Sequence, residues 1–302
     1  MDLVTLDELR AAAARVPSTK VLKFLDELWL KPENQQPTGS FKIRGATNAI
    51  AELKPEAVIT HSSGNHGAAL TYAAKAAGVP CTVVVPDTAP TVKIDAMRAL
   101  GAELVVVAPD QRFAAAERRA AKTGATLIPP FDNRHVIAGQ GTIGLEIVEE
   151  LPGVEAVLVP IGGGGLISGV AAAVKSLRPD VKVIGVEPEL AADAQESLQR
   201  DRLIGWSTDR TYRTVADGVR TGLSLLTFAH LREYVDDIVT VSEDEILRAV
   251  GELARFGTVA EPSGALTTAA YMYRRGWLPA GRTVAVISGG NVDPELLRNC
   301  LA

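Results

Sequence analysis

The sequence contains very little cysteine, with two residues, Cys81 and Cys300, in a chain of 302. Cys81 falls in an apolar, strand-like run and Cys300 lies near the C-terminal end, so the pair fits neither a disulfide framework nor a zinc site. The opening residues, MDLVTLDELRAAAARV, carry acids early and lack a basic start before an apolar core. They predict an amphipathic helix and not a signal peptide. Together these features predict a cytoplasmic protein.

The sequence also lacks an excess of positive charge and an unbroken apolar run. Its 31 Lys and Arg residues are scattered and face 36 Asp and Glu, which gives a formal net charge of −5. This balance argues against nucleic acid as a partner and favours a small-molecule ligand. Residues 156–174 are uncharged, but Pro160 and the glycines at 162–165 would interrupt a membrane-spanning helix. No membrane association is therefore predicted.

From residue 57 onward, short β-branched runs alternate with alanine-rich helical stretches. This alternation is typical of the α/β class, in which helices cover both faces of a mostly parallel, twisted sheet. Strands are predicted at 57–60, 81–86, 103–107, 125–129, 156–160, 181–187, 237–241 and 282–288. Helices are predicted near 66–77, 91–100, 112–123, 136–150 and 166–177, and Ser242 with Glu245 predicts a capping box at the start of a further helix.

The order of these elements predicts two domains, each with its own sheet. A small domain, 53–133, is inserted into a large domain formed by 1–52 and 134–302, and the ligand is expected in the cleft between them. The stretch 193–220 is polar and without clear periodicity, which predicts a loop beside the active site.

One lysine stands in an unusual place, in the stretch PTGSFKIRGA at residues 37–46. Pro37 and Gly39 break the preceding extended segment, and Ser40 is a suitable N-cap for a helix. Lys42 would then lie in the first helical turn, where the helix dipole disfavours a positive charge. It is either a solvated lysine or a reactive one of the kind that forms Schiff bases.

The glycine-rich run GGGGLISG, 162–169, follows the apolar run AVLVP and opens a helix. Successive backbone N–H groups at such a helix start form an anion site, as for a phosphate. Glu187 lies 22 positions after Gly165 (187 − 165), near where a dinucleotide fold places its ribose-binding acid. The glycines are contiguous and do not give a clean G-x-G-x-x-G. A phosphate-bearing cofactor, a dinucleotide and a merely tight turn all remain open, and the second would make the protein an NAD-dependent oxidoreductase.

Two further loops follow predicted strands. HSSGNHGAA, 61–69, has small residues that leave backbone N–H groups open and an amide at Asn65, which suits a carboxylate, although Ser62 and Ser63 could be ordinary helix caps. ISGGN, 287–291, ends the last predicted strand, so Ser288 is expected to face the same crevice.

Taken in order, PTGSFKIRGA, HSSGNHGAA, PIGGGGLISG, VEPELAADAQES and VISGGN resemble the serine and threonine dehydratase and serine racemase family, the fold type II pyridoxal-phosphate enzymes. The resemblance covers about residues 28 to 293. It implies that Lys42 binds pyridoxal phosphate covalently and removes the substrate's α-proton. It implies that the other cofactor contacts are Phe41 on the ring, Asn65 at the 3′-oxygen, Ser288 at the pyridine nitrogen, and Gly162, Gly163, Gly164, Gly165 and Leu166 around the phosphate. The implied substrate contacts are Ser62, Ser63, Gly64, Asn65 and His66.

The activity implied is an ammonia-lyase that eliminates water from L-threonine or L-serine. A hydroxyl at Ser288 cannot supply the charge of an aspartate, so the ring is a weaker electron sink and prompt expulsion of the β-hydroxyl is favoured. Serine racemase or 3-hydroxyaspartate dehydratase is the alternative, because Ser63 resembles the racemase proton donor on the face opposite the lysine. The resemblance also implies a homodimer.

The segment EPELAADAQES resembles the divalent-metal segment of the racemases. It implies that Glu187, the Ala191 carbonyl and Asp193 bind Mg²⁺, Mn²⁺ or Ca²⁺, which all take oxygen ligands. A solvated acidic loop is the alternative interpretation.

Overall fold

The computed structural model of the chain describes residues 2–62, 64–89 and 91–302. Its strands are β1 Leu22–Leu25, β2 Leu28–Pro32, β3 Val58–Thr60, β4 Cys81–Pro86, β5 Glu103–Val107, β6 Thr126–Leu127, β7 Ala156–Pro160, β8 Lys182–Pro188, β9 Asp237–Val241 and β10 Thr283–Ile287. Its helices are α1 Leu6–Ala13, α2 Lys42–Leu53, α3 Asn65–Ala77, α4 Thr91–Ala99, α5 Arg112–Thr123, α6 Arg134–Glu150, α7 Gly165–Leu177, α8 Asp193–Gln199, α9 Thr208–Thr211, α10 Leu225–Tyr234, α11 Glu243–Arg255, α12 Pro262–Tyr273 and α13 Pro294–Leu301.

The strands form two sheets. The larger has the order β1-β2-β10-β7-β8-β9, and its pairs are parallel except for the β1–β2 hairpin at one edge. The smaller has the order β5-β4-β3-β6 and is parallel throughout. The α/β class is thus confirmed. All strands of the smaller sheet fall within 53–133, and the domain boundaries at these positions stay a prediction.

The larger sheet is buried on both faces, as parallel sheets are. Along β7, Leu158 packs into one apolar cluster with α11 and α12, while Val157 and Val159 pack into another with α6 and α7. A Cβ on Gly169 would lie 2.3 Å from the carbonyl oxygen of Ile137, so α6 and α7 approach more closely than any larger residue there would allow. The helix α7 that packs in this way begins at Gly165, the last glycine of the run.

Several predicted elements have the predicted bounds: β4, β5, β7, β9 and α5 begin and end as expected, and the capping box of Ser242 with Glu245 is present. One prediction is wrong, one strand was missed, and one loop prediction holds only in part. Ser40 does not cap α2, because the residue before the helix is Phe41 in a helical conformation, and Ser40 instead bridges to Gly289. The hairpin strand β1 was not expected. The stretch 193–220 contains α8 and α9, held by buried residues such as Ser197, and is not a plain loop.

No helix in the described part of the chain has the length and apolar character needed to cross a membrane.

A buried ionic network lies beneath α2. The guanidinium of Arg44 donates two hydrogen bonds of 2.7 Å to the carboxylate of Glu33, and both side chains are fully buried. Arg44 also donates to Glu146, which in turn pairs with the buried Lys31 at 2.6 Å. Since α2 has no side-chain cap at its start, this network and the backbone bond from Phe41 N to Ser288 O, 3.0 Å, anchor the turn that carries Lys42.

Replacing Arg44 by alanine should lower the free energy of unfolding by about 3–5 kcal/mol, because it leaves the Glu33 carboxylate buried without its partner. The matched control is Arg255→Ala, which removes an exposed pair with Glu252 of 3.0 Å within one helix and should cost about 0.5 kcal/mol or less. Urea unfolding monitored by circular dichroism measures both. Equal losses in the two variants would show that the buried network contributes no special stability.

Candidate active site

A cleft of about 420 Å³ opens where strands of both sheets end. Its walls come from the loops after β3, β4, β5, β6, β7 and β10, all at the carboxyl ends of parallel strands, where ligands bind in open α/β sheets. The cleft brings together these residues singled out in the sequence: Phe41, Lys42, Ser62, Gly64, Asn65, His66, Gly162, Gly163, Gly164, Gly165, Leu166 and Ser288. Ser63, the expected second catalytic residue, lies outside the described residues.

Lys42 is the first residue of α2, and its amine lies at the base of this cleft. The Nζ atom donates a hydrogen bond of 2.9 Å to the carbonyl oxygen of Pro130 and lies 4.9 Å from the centre of the Phe41 ring. Burial lowers the pKa of Lys42 to about 8, although the negative charge of Glu261 acts in the opposite direction. Near neutral pH roughly a tenth of such amines carry no proton and can act as nucleophile or base.

The glycine run forms a smooth concave wall at the start of α7. A Cβ on Gly162 would lie 2.7 Å from the Cα atom of Val219, and one on Gly163 would lie 2.3 Å from the ring of Phe131. Gly164 has a φ of +83°, which glycine adopts without strain. These glycines line the cleft with backbone alone, at the positive end of the α7 dipole, where an anion would be stabilised.

Ser288 follows β10 and is buried, with 5% of its surface exposed. Its carbonyl oxygen accepts from the backbone N–H of Phe41, so the serine lies beside the turn that carries Lys42. Its hydroxyl donates to the carbonyl oxygen of Ser263 over 3.3 Å, a long bond that another acceptor could replace.

The loop after β3 leads into α3, whose first residue is Asn65. The Asn65 amide nitrogen donates to the Glu261 carboxylate at 2.7 Å. Burial, together with the positive charge of Lys42, lowers the pKa of His66 to about 3, so the imidazole is neutral near pH 7. His66 Nε2 is 2.9 Å from the carbonyl oxygen of Ile128 and therefore acts as a donor. This bond fixes the loop to the end of β6 and leaves His66 no acid–base role near neutral pH.

Comparison with known proteins gives the same picture. The family model described as "Pyridoxal-phosphate dependent enzyme" matches residues 14–289. The chain is 46% identical to an L-threonine ammonia-lyase from Thermotoga maritima over 90% of its own length and 69% of that protein. It is 43% identical to the serine racemase of Homo sapiens over 88% of its length and 82% of that protein. Among solved structures, maize serine racemase superposes with a TM-score of 0.92 at 34% identity, over 99% of this chain and 97% of that one.

The chain belongs to the pyridoxal-phosphate-dependent enzymes. The cleft of this family member offers a counterpart for three groups of the cofactor. The glycine wall suits the phosphate, the amine of Lys42 suits the aldehyde carbon, and the hydroxyl of Ser288 suits a ring nitrogen that carries no charge. The residues present therefore fit the cofactor, and the assignment of each residue to its contact is a proposal.

The carboxylates expected to bind a metal ion lie outside the walls of the cofactor cleft, at the end of β8 and the start of α8. Glu187 and Asp193 are 1% and 3% exposed. Burial raises the pKa of both, and for Glu187 the nearby Asp193 raises it further, well above the usual value. Both Glu187 oxygens accept backbone N–H groups, from Ala194 at 3.1 Å and Gln195 at 2.8 Å, while Asp193 Oδ2 has no hydrogen-bond partner.

Two adjacent buried carboxylates, one with an unpartnered oxygen, fit a hard cation. Within 2–62, 64–89 and 91–302, no group of three or more His, Cys, Asp and Glu residues could hold a metal ion. Any cation here would need backbone carbonyls or water as additional ligands, as Ca²⁺ and Mg²⁺ accept.

Sequence reasoning missed several residues of the site. Glu261 lies 6% exposed at the N-cap of α12 and contacts Asn65, and Asn291 donates to the same amide. Pro130 supplies the carbonyl that holds Lys42, and Arg112 lines the outer part of the cleft. The sequence contains the helix-start signal Glu261-Pro262, and Asn291 is the last residue of ISGGN. Neither feature indicates which residues these side chains contact in the fold.

Replacing Gly162 by alanine should weaken cofactor binding by about tenfold or more, because the new Cβ would collide with the backbone of Val219 and shift the glycine wall. Gly205→Ala is the control, since a Cβ there has no atom within 4 Å. The apoprotein of each variant is titrated with pyridoxal phosphate and followed by absorbance. Unchanged affinity in the Gly162 variant would remove this loop from the cofactor site.

Proposed function

We propose that the chain is an ammonia-lyase that eliminates water from L-threonine and L-serine and releases a 2-oxo acid and ammonia. The observation that carries the proposal is the desolvated amine of Lys42, with its lowered pKa, in a cleft that also presents the anion-binding start of α7. The similarity to the Thermotoga L-threonine ammonia-lyase supports this reaction class.

When bound, pyridoxal phosphate supplies the electron sink that makes the substrate's α-hydrogen acidic. The Lys42 amine removes that proton, and its lowered pKa suits a base that works near neutral pH. The loop at residues 62–66 holds the substrate carboxylate with its backbone N–H groups. The hydroxyl of Ser288 can donate a hydrogen bond to the ring nitrogen and adds no charge there.

The reaction has two stages, elimination and hydrolysis. The β-hydroxyl leaves with a proton as water, and water then hydrolyses the carbon–nitrogen bond, so that the net products are the 2-oxo acid and ammonia. Serine thus gives pyruvate and threonine gives 2-oxobutanoate.

Serine racemase is the second candidate, supported by the 43% identity to the human enzyme. In this reaction a second group, which we assign to Ser63, returns a proton to the face of the α-carbon opposite Lys42. We rank elimination first because the uncharged Ser288 favours expulsion of hydroxide over reprotonation.

We further propose that Glu187, the Ala191 carbonyl and Asp193 bind one divalent cation. Support comes from the buried, adjacent carboxylates and the unpartnered Asp193 Oδ2. The cation would stabilise the start of α8 by offsetting the repulsion that raises the pKa of Glu187.

We also propose a cytoplasmic homodimer. Cys81 and Cys300 are both free thiols, which suits a reducing compartment, and Trp277 leaves 76% of its surface exposed, as an apolar contact residue would before assembly. Light scattering of the purified protein measures the oligomeric state.

The central test is covalent capture. Borohydride reduction of the yellow protein should fix the cofactor on the peptide that contains Lys42, and L-threonine and L-serine should yield 2-oxo acids. Lys42→Ala should lower turnover by about a thousandfold or more. Lys54→Ala, at the other end of α2, should retain full activity. A colourless protein that requires NAD would refute the proposal.

The Ser63→Ala variant separates the two candidate activities. Interconversion of L- and D-serine should fall to background, while elimination from L-serine survives, because Lys42 alone removes the α-proton of the L-enantiomer. Chiral chromatography and pyruvate release measure the two rates. If Ser63 has no part in proton transfer, the ratio of the two rates stays constant. D-serine formed faster than pyruvate by the parent enzyme would promote the racemase to first place.

Chelation tests the cation. A chelator should lower both the melting temperature and the activity, since a ligand at a hundred times its Kd stabilises the folded state by about 2.7 kcal/mol. Asp193→Asn should make the protein indifferent to chelator, whereas Glu196→Gln, on the same helix and partly exposed, should respond like the parent. Indifference of the parent to chelator and to added Mg²⁺ would mean that no structural cation binds here.

A further inference from the structure

Both the nitrogen and the oxygen of the Asn65 side-chain amide are hydrogen-bonded. Its Nδ2 donates to Glu261 Oε1 at 2.7 Å, and its Oδ1 accepts from Asn291 Nδ2 at 2.8 Å. Asn65 belongs to the small sheet's α3, whereas Glu261 and Asn291 follow elements of the larger sheet, at sequence separations of 196 and 226. The amide therefore spans the cleft from one half of the molecule to the other.

The orientation of these amides follows from groups that can only accept. Asn291 Nδ2 also donates to the backbone carbonyl oxygen of Thr38 at 3.0 Å, so a flipped Asn291 would turn its oxygen toward a carbonyl that can only accept. With Asn291 fixed, Asn65 must turn its oxygen toward Asn291 and its nitrogen toward the Glu261 carboxylate. One N–H of Asn65 then remains for a ligand in the cleft that Asn65 lines.

The backbone leaves room for this arrangement. Gly39 has a φ of +70°, and a Cβ on it would lie 2.3 Å from Asn291 Oδ1, so a larger residue at position 39 would displace Asn291. A Cβ on Gly289 would lie 2.4 Å from Glu261 Oε1. Gly290 N also bonds Gly39 O at 2.9 Å, which ties the turn of Asn291 to the turn that precedes Lys42.

We infer that Asn291 is a positioning residue that fixes the amide of Asn65, so that Asn65 presents an N–H donor, and not its oxygen, to the 3′-oxygen of pyridoxal phosphate. The inference rests on the proposed function. Asn291 acts through Asn65, and it links the cofactor contact on the small-sheet side to the turn that positions Lys42.

Asn291→Asp tests this inference because it replaces the donor nitrogen with an acceptor at nearly constant shape. The carboxylate faces Asn65 Oδ1, and a flip of Asn65 would only move the conflict to Glu261. We expect pyridoxal phosphate to bind the apoprotein about tenfold more weakly, as the loss of one such hydrogen bond implies, and the absorption maximum of the bound cofactor to shift. Asn291→Ala, which removes the donor without adding an acceptor, should show a smaller change in the same direction.

The matched control is Asn34→Asp. Asn34 Nδ2 donates to the carbonyl oxygen of Val259 at 2.9 Å, and the Asn34 Cβ lies 3.0 Å from where a Cβ on Gly290 would be. The same chemical change is thus made beside the same turn but away from Asn65, and cofactor affinity and spectrum should stay those of the parent. Melting of each apoprotein verifies that the variants are folded.

A double-mutant cycle identifies the route of the effect. In the Asn65→Ala background, Asn291→Asp should change neither affinity nor spectrum further, because the residue through which it acts is gone. A parent-like Asn291→Asp, an equal effect of Asn34→Asp, or a full effect without Asn65 would each overturn the inference. If the parent itself takes up no pyridoxal phosphate, the proposed function fails and the inference fails with it. If the parent binds the cofactor but the variants do not behave as expected, only the inference fails.

Discussion

The removal of one lysine amine from water is the constraint on which the rest of the site depends. Burial makes the charged form of Lys42 unfavourable and brings its pKa to about 8, and Glu261 limits how far it falls. A charged amine in such a position would cost stability unless the surrounding chain held it firmly. Three contacts position Lys42 and its turn: the hydrogen bond to the carbonyl of Pro130, the backbone bond from Phe41 to Ser288, and the buried pair of Arg44 with Glu33.

The anion site depends on close packing of the backbone. α7 must begin close to the cleft, and it can do so because α6 and α7 meet through residues without side chains, such as Gly169 against the backbone at Ile137. The wall of glycines then exposes N–H groups that a side chain at Gly162 or Gly163 would displace. Helix packing and anion binding thus both restrict which residues this glycine run can contain.

Two of the buried acidic groups differ in their chemistry. Glu261 lies in the cleft, where it accepts a hydrogen bond from Asn65 and its charge raises the pKa of Lys42. Glu187 and Asp193 lie together away from the cleft, where burial raises the pKa of both and the charge of Asp193 raises that of Glu187 further. The first arrangement suits a reaction that moves protons, and the second suits a bound cation that supports the fold.

The sequence by itself determined the features that depend on local pattern. The β-branched runs of β4, β5, β7 and β9, the capping box at Ser242, and the glycine run before α7 could all be read in advance, because each is specified by neighbouring residues. The ordered motifs also indicated the family and the lysine. Tertiary structure alone decided that Ser40 bridges to Gly289 and does not cap α2, and that a helix begins at Asp193. It also brought Glu261 and Asn291 to Asn65 across separations of 196 and 226 residues. No periodicity records such contacts, because they arise only where segments far apart in the sequence meet at the cleft.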